Sequence, residues 1–226
     1  MKKFSIKQLM LALLFVVVVP CVNAQTSQVA HIGDILCEGN YVVSPANFNA
    51  SSDSPIGVVF YVDNVGKHGW VIDLQDASAS CPWGSNSGDT PLTNYHNNSR
   101  LAIYDLDGYR NTEIIYAQYY NDSTFSASFQ AFDAVDFENG WYLPTIGQLN
   151  YLYGNLIEVN AGIYAAGGTP FETGISWIYW SSTEIGSGCA WLLRSSGWLN
   201  GDPAYAETGK GASHRVRAAR NFSLDQ

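Results

Sequence analysis

Cysteine, basic residues and long apolar runs are all scarce in this 226-residue chain, and each scarcity closes off a class of protein. The four cysteines stand at positions 21, 37, 81 and 189, and no two form a CxxC pair, so neither a zinc ribbon nor a thioredoxin-type site is indicated. Eleven Lys and Arg face 20 Asp and Glu. Nucleic-acid binding relies on clustered cations that neutralise phosphate, so no nucleic-acid partner is expected. One apolar run, Leu9 to Val19, is too short to span a bilayer as a mature helix, and no later stretch does better. No HExxH, Walker loop or GxSxG motif occurs. His31, His68, His96 and His214 are scattered in turn-like or strand-end contexts. Active sites need several convergent groups, and nothing local supports a triad, so these histidines read as structural or exposed.

What is present begins with a targeting pattern. Lys2, Lys3 and Lys7 precede the apolar run, and Val22-Asn23-Ala24 offers small residues where signal peptidase reads. This predicts a signal peptide over residues 1–24 and an exported protein starting near Gln25, placed at the cell surface, in a periplasm or outside the cell. Lipidation at Cys21 is the rival reading, weakened by Pro20 where a small residue is usual. Cleavage removes three lysines and no acid, taking the formal charge from −9 to −12. Half of the eight remaining basic residues are Lys210, Arg215, Arg217 and Arg220. They form either an anion-binding edge or, the better reading, alternate residues of a terminal strand paired with acids or solvated. Three cysteines remain, an odd number. Cys37 and Cys81 are the candidate disulfide, although a chain of this size can build a core without one.

Residues 25 to about 105 read as strand and loop. Ile56 to Val62 and Trp70 to Leu74 are apolar, β-branched runs separated by turn residues, and predict a hairpin. Residues 84–99, rich in Gly, Ser, Asn, Asp and Pro, read as an irregular loop. Asn111-Thr112 is expected to cap a helix from Glu113 to about Tyr120. A short helix between Ser126 and Phe137 presents Phe129, Phe132 and Val135. Thr145 with Gln148 makes a capping box, and Leu149, Leu152, Tyr153 and Leu156 share one face of the helix it starts. Gly167 to Pro170 ends the helical region, and strands return after Ser176. Strands, then helices, then strands predict an α+β fold with segregated layers, in which the first and last strand-like segments could pair.

Several motifs in this order resemble the Lcl C-terminal-domain family of bacterial exported proteins, also described as a major paralogous domain. They are Gly33-Asp34-Ile35-Leu36, Ile56-Gly57-Val58-Val59-Phe60, His68-Gly69-Trp70-Val71 and Asp107 to Thr112. The strongest are Gly140-Trp141-Tyr142-Leu143-Pro144-Thr145, Tyr179-Trp180-Ser181-Ser182-Thr183-Glu184 and Val216-Arg217-Ala218-Ala219-Arg220. The resemblance implies a C-type-lectin-like, formylglycine-generating-enzyme-like looped α+β domain over residues 25–226, with a β-rich N-terminal part, short antiparallel strands and two or three helices. It also implies that the last strands and loops carry the ligand surface. The calcium-lectin sequences Glu-Pro-Asn, Gln-Pro-Asp and Trp-Asn-Asp are missing. Asp133, Asp136, Glu138, Asp202 and Glu207 could supply oxygen ligands for Ca²⁺, but their spacing is not that of an EF-hand, and no cofactor is expected.

Within that frame Trp141, Trp180 and Trp191 read as core, whereas Trp198 and Tyr205 sit in loop-like sequence. The expected ligand surface is Glu184, Arg194, Ser196, Trp198, Asn200, Asp202 and Tyr205. There, aromatic area and adaptable polar groups would recognise a protein or glycan without chemistry. Apart from Trp191 and Trp198, every residue of 185–206 belongs to the set encoded by codons ending in a pyrimidine. That set marks the variable proteins of diversity-generating retroelements, some of which share the lectin fold; chance in a short Gly/Ser-rich loop gives the same composition. The first expectation is therefore an adhesin-like binding module. A pilus-tip or envelope structural subunit with fimbrial partners is the alternative, and an enzyme related to formylglycine generation, with Cys189 as its thiol, is a further one.

Overall fold

The computed structural model describes residues 28–84, 90, 92, 98–172, 177–195 and 205–225. The predicted signal peptide, Cys21 and most of the irregular stretch 84–99 lie outside them. The chain is a mixed α+β fold built on two sheets.

The strands are β1 (Ile35–Cys37), β2 (Tyr41–Val43), β3 (Pro55–Val62), β4 (His68–Asp73), β5 (Ser78–Pro82), β6 (Trp141–Tyr142), β7 (Ile178–Glu184), β8 (Cys189–Arg194), β9 (Tyr205–Gly209), β10 (Ser213–Val216) and β11 (Ala219–Ser223). The helices are α1 (Ser99–Ala102), α2 (Gly108–Tyr119), α3 (Phe125–Ser128), α4 (Gln130–Asp133), α5 (Ile146–Gly154) and α6 (Leu156–Ala165). One sheet runs β2-β1-β3-β4-β11-β6 and the other β5-β10-β7-β8-β9. Every pairing is antiparallel except β10 with β7, which is parallel. No helix among the described residues is long and apolar enough to cross a membrane.

The expected hairpin is β3–β4, with Val59 opposite Val71 and Tyr61 opposite Trp70. Val58, Val59, Phe60, Val71 and Ile72 are fully buried, as continuous apolar runs require of strands covered on both faces. The earliest and latest strands share a sheet without pairing, because β3 and β4 stand between β1 and β11. Strand β10 lies in one sheet and β11 in the other, so the three-residue step from Val216 to Ala219 joins the two.

Three helices among the described residues reach nine residues or more: α2, α5 and α6. The capping box at α5 forms as expected, with the Thr145 hydroxyl accepting from the Gln148 amide and the Gln148 side chain accepting from the Thr145 amide. Helix α2 starts at Gly108, five residues before the expected Glu113. Asp107 is the cap, its carboxylate accepting from the Arg110 amide, while Asn111 and Thr112 turn inward as buried polar groups. Two four-residue helices, α3 and α4, take the place of one helix between Ser126 and Phe137, and they bury Phe132. Helix α6 lies directly on β3 and the turn before β1: a Cβ at Gly162 would stand 2.7 Å from Val58 Cγ1 and 2.4 Å from the Gly33 carbonyl oxygen, distances only glycine allows.

The main core lies where α5 and α6 meet both sheets, joining Ile35, Val58 and Ile72 with Tyr179, Trp191 and Leu193. A second cluster gathers Trp83, Phe132, Trp180 and Leu192 under α2 to α4. Cys37 belongs to the first cluster, and Cys81 packs against the second. Both are free thiols, so the Cys37–Cys81 disulfide does not form; the two cysteines sit in different sheets. Burial raises the pKa of each thiol, which keeps it protonated and unreactive.

Candidate functional site

The predicted ligand surface rests on β7, β8 and β9, and the aromatic residues in and next to these strands, with Trp83 just after β5, hold the frame. Trp177, Tyr179, Trp180 and Trp191 are buried, and Trp141 is half-buried at the sheet edge. Indole N–H groups fasten the strands together. Trp180 Nε1 donates to the Cys81 carbonyl at 2.9 Å, and Trp83 Nε1 donates to the Ser181 carbonyl at 2.8 Å. Ser181 Oγ donates to the Trp191 carbonyl at 2.7 Å. Trp180 is therefore structural, as a buried large ring is when its one polar atom finds a partner.

The structure separates the residues expected to act together. In the β7–β8 hairpin Glu184 stands opposite Ala190, and Arg194 stands opposite Ile178. Glu184 and Arg194 thus mark opposite ends of the hairpin, about 20 Å of extended strand apart. Glu184 is also fully buried, so it is not a surface residue. Its carboxylate pairs with Lys210, which is itself 1% exposed, and accepts from the Thr90 hydroxyl. The Lys210 ammonium lies 4.7 Å from the centre of the Trp83 ring. Arg194 is half-buried at the end of β8. Leu193 pairs with Tyr205, so the backbones of Arg194 and Tyr205 lie at the same sheet end. Ser196, Trp198, Asn200 and Asp202 lie outside the described residues, as does the side chain of Tyr205. Residues 185–206, singled out by codon set, divide into the turn, the start of β9 and strand β8 that are described and a nine-residue join that is not. The described part includes Ala190, Trp191, Leu192 and Leu193, all buried.

Two buried polar hubs went unanticipated. Asp76 accepts from Arg217 Nε at 2.6 Å and from the Tyr179 hydroxyl at 2.8 Å, and Arg215 lies 3.4 Å away. Arg217 is 2% exposed, donates to the Thr169 carbonyl and stacks 4.2 Å from the Phe171 ring centre. Burial, followed by the neighbouring Asp76 charge, makes the Tyr179 phenol harder to ionise, although Arg217 works in the other direction. Three of the four clustered basic residues therefore serve internal acids, and the fourth, Arg220, faces the Trp141 ring at 6.0 Å. The second hub is Asp105, 6% exposed, which accepts from Thr183 Oγ1 at 2.8 Å and Asn111 Nδ2 at 3.0 Å. Burial raises its pKa against those two hydrogen bonds. The Thr145 hydroxyl donates to the Asp105 carbonyl at 2.6 Å, and the Ile146 amide donates to Thr183 Oγ1 at 3.0 Å. This hub ties α2, α5 and β7 together. The one trace of it in the sequence is a run of short polar residues inside an otherwise aromatic strand, Ser181-Ser182-Thr183.

Among the described residues, no group of three or more His, Cys, Asp or Glu is placed to hold a metal ion. No family model matches the chain, and no curated protein matches it. Among solved structures it is similar to a fimbrial protein from Bacteroides ovatus ATCC 8483, at 20% identity and a TM-score of 0.63. The likeness is one of fold. It covers 85% of this chain and 48% of that one, so the chain spans about half the length of its structural neighbour.

Proposed function

We propose that the chain is an exported, surface-displayed subunit of a fimbrial or related envelope assembly. The observation that carries this reading is the fold shared with a fimbrial protein across 85% of the chain. The charged and apolar pattern of residues 1–24 supports export, and the motif order resembling the Lcl C-terminal-domain family supports a place outside the cell. The test is location. Antibody against the purified protein is expected to label surface filaments in immunogold microscopy, and the protein is expected to leave the cells with the sheared filament fraction. Recovery in the cytosolic fraction alone would end this reading.

A second reading concerns recognition by the same subunit. The pairing of Leu193 with Tyr205 favours it, because residues 196–204 must join two adjacent strands at one end of a rigid, tryptophan-braced sheet. That arrangement suits a loop whose composition varies while its frame does not. The surface is then Arg194, Ser196, Trp198, Asn200, Asp202 and Tyr205, without Glu184. A screen of protein and glycan arrays should find a ligand whose binding falls with Trp198→Ala and Arg194→Ala. Undiminished binding by both variants would remove this surface from consideration.

A further inference from the structure

On the six-stranded sheet, away from the β8–β9 end, two adjoining depressions of about 500 and 630 Å³ share Trp70 and Asn221. Volumes in this range are those of small-ligand sites. Trp70 of β4 pairs directly with Asn221 of β11 and with Tyr61 of β3. One lobe continues over Tyr61, Asp63 and His68. The other continues over Tyr104, Leu106, Asp107 and Arg110, with buried Asp105 and Asn111 at its floor.

The aromatic part is braced. Tyr61 stacks on Trp70 with ring centres 4.2 Å apart, and Tyr151 meets both rings edge-on at 5.1 and 5.9 Å. Trp70 is only half-buried, and Tyr104 keeps 71% of its surface in solvent, the largest exposure of any aromatic residue in the groove wall.

The polar part is aimed. Gln148 Oε1 accepts from the amides of Thr145 and Gly108, which leaves Gln148 Nε2 as a donor to the Tyr142 hydroxyl at 3.0 Å. That hydroxyl must then send its own proton onward, and it donates to Asn221 Oδ1 at 2.7 Å. With its oxygen engaged, the Asn221 amide is held in one orientation. Asn221 is exposed and lines both lobes, so its N–H donors remain open to a ligand there. A relay rooted in a helix cap thus fixes a donor pair beside an exposed ring.

From this juxtaposition we infer that the groove across Trp70 and Asn221 binds an uncharged oligosaccharide. A pyranose offers an apolar C–H face for an aromatic ring and hydroxyls for a fixed amide and carboxylates, which is the chemistry the groove displays. Asp63, Asp105 and Asp107 line it, while the two basic side chains in the wall are already engaged, Arg110 by Glu113 and His68 by Asp63 and Asp225, so a polyanion finds no free cation there. Tyr61 and Trp70 lie on strands flanked on both sides, so an extended peptide cannot add to β3 or β4 by backbone pairing.

Isothermal titration of the purified protein against cello-, xylo-, manno-, malto- and chito-oligosaccharides of five sugars tests this, with heparin and a mixed-sequence peptide pool as controls. At least one neutral sugar is expected to bind, quenching or shifting tryptophan fluorescence. Tyr104→Ala and Asn221→Leu are expected to weaken it about tenfold or more, a loss of about 1.4 kcal/mol each. Tyr104 lies outside the core, so its variant should keep the parent melting temperature. Replacing residues 196–204 by a short Gly/Asn turn should leave the affinity unchanged, which separates this groove from the loop surface. Absence of binding by every sugar, preference for heparin or peptide, or affinity indifferent to both groove variants would each overturn the inference.

Discussion

Lys210 and Glu184 illustrate how a single contact can reverse the meaning of a residue. Glu184 ends an aromatic strand, where a carboxylate looks like a hydrogen-bonding group on a rim. Lys210, 26 residues later, folds under it beside Trp83, and both are taken out of water. Removing one partner of a buried pair leaves the other charge unpaired, so Lys210→Ala is expected to cost about 3–5 kcal/mol in urea unfolding. The double variant Lys210→Met with Glu184→Leu should lose less than Lys210→Ala, because no uncompensated charge remains. His68 behaves differently, being about half-exposed. Its Nδ1 lies 2.9 Å from Asp63 and its Nε2 lies 2.8 Å from Asp225, so both ring nitrogens face carboxylates. The hydrogen bond to Asp63 raises the histidine pKa, and the same bond lowers that of Asp63 to about 2. The histidine contribution is complete below its unfolded value of about 6.5 and fades as pH climbs through the raised folded value. The Asp63 contribution is complete above about 3.9 and disappears as pH falls towards 2. Stability from this pair should therefore peak between about pH 4 and 6.5. His68→Asn should flatten the upper side of that profile, measured by urea midpoints at stepped pH with the ring titration followed by NMR.

Helix α5 is the element on which most of the molecule turns. Its capping residue Thr145 serves the helix and also donates to the Asp105 carbonyl, while the reciprocal Gln148 orients Tyr142. Thr145→Ala should cost about 1–2 kcal/mol from the cap alone, and Thr145→Ser should recover most of it; chemical denaturation of both variants checks this. Local rules made this element legible. A capping box, a hairpin bounded by turn residues and buried tryptophans in motif strands are each written in one short contiguous stretch of sequence. The polar hubs were not, because their members come from distant positions: Asp76 meets Arg217, and Asp105 meets Thr183. The start of α2 was misplaced for a related reason. Asn111 and Thr112 are good capping residues, and only the tertiary demand for partners at Asp105 and at the Leu143 amide draws them inside. The same distance effect separates Cys37 from Cys81, which nothing local could have kept together. The groove at Trp70 was hidden because it depends on register: Tyr61, Trp70 and Asn221 come from three strands and meet only when the sheet is assembled.

Across the whole molecule, the two sheets are joined by the latest strands in chain order. Strand β10 pairs with β5 and β7 in one sheet, and β11 slots between β4 and β6 in the other. A polypeptide truncated after residue 212 would lack the β4–β6 link of one sheet and the β5–β7 link of the other. It is expected to be cut by proteases throughout, where the full chain resists, and a protected truncated core would refute that expectation. Because β10 and β11 follow every other described strand in the chain, both sheets gain their last pairings in one late, shared step.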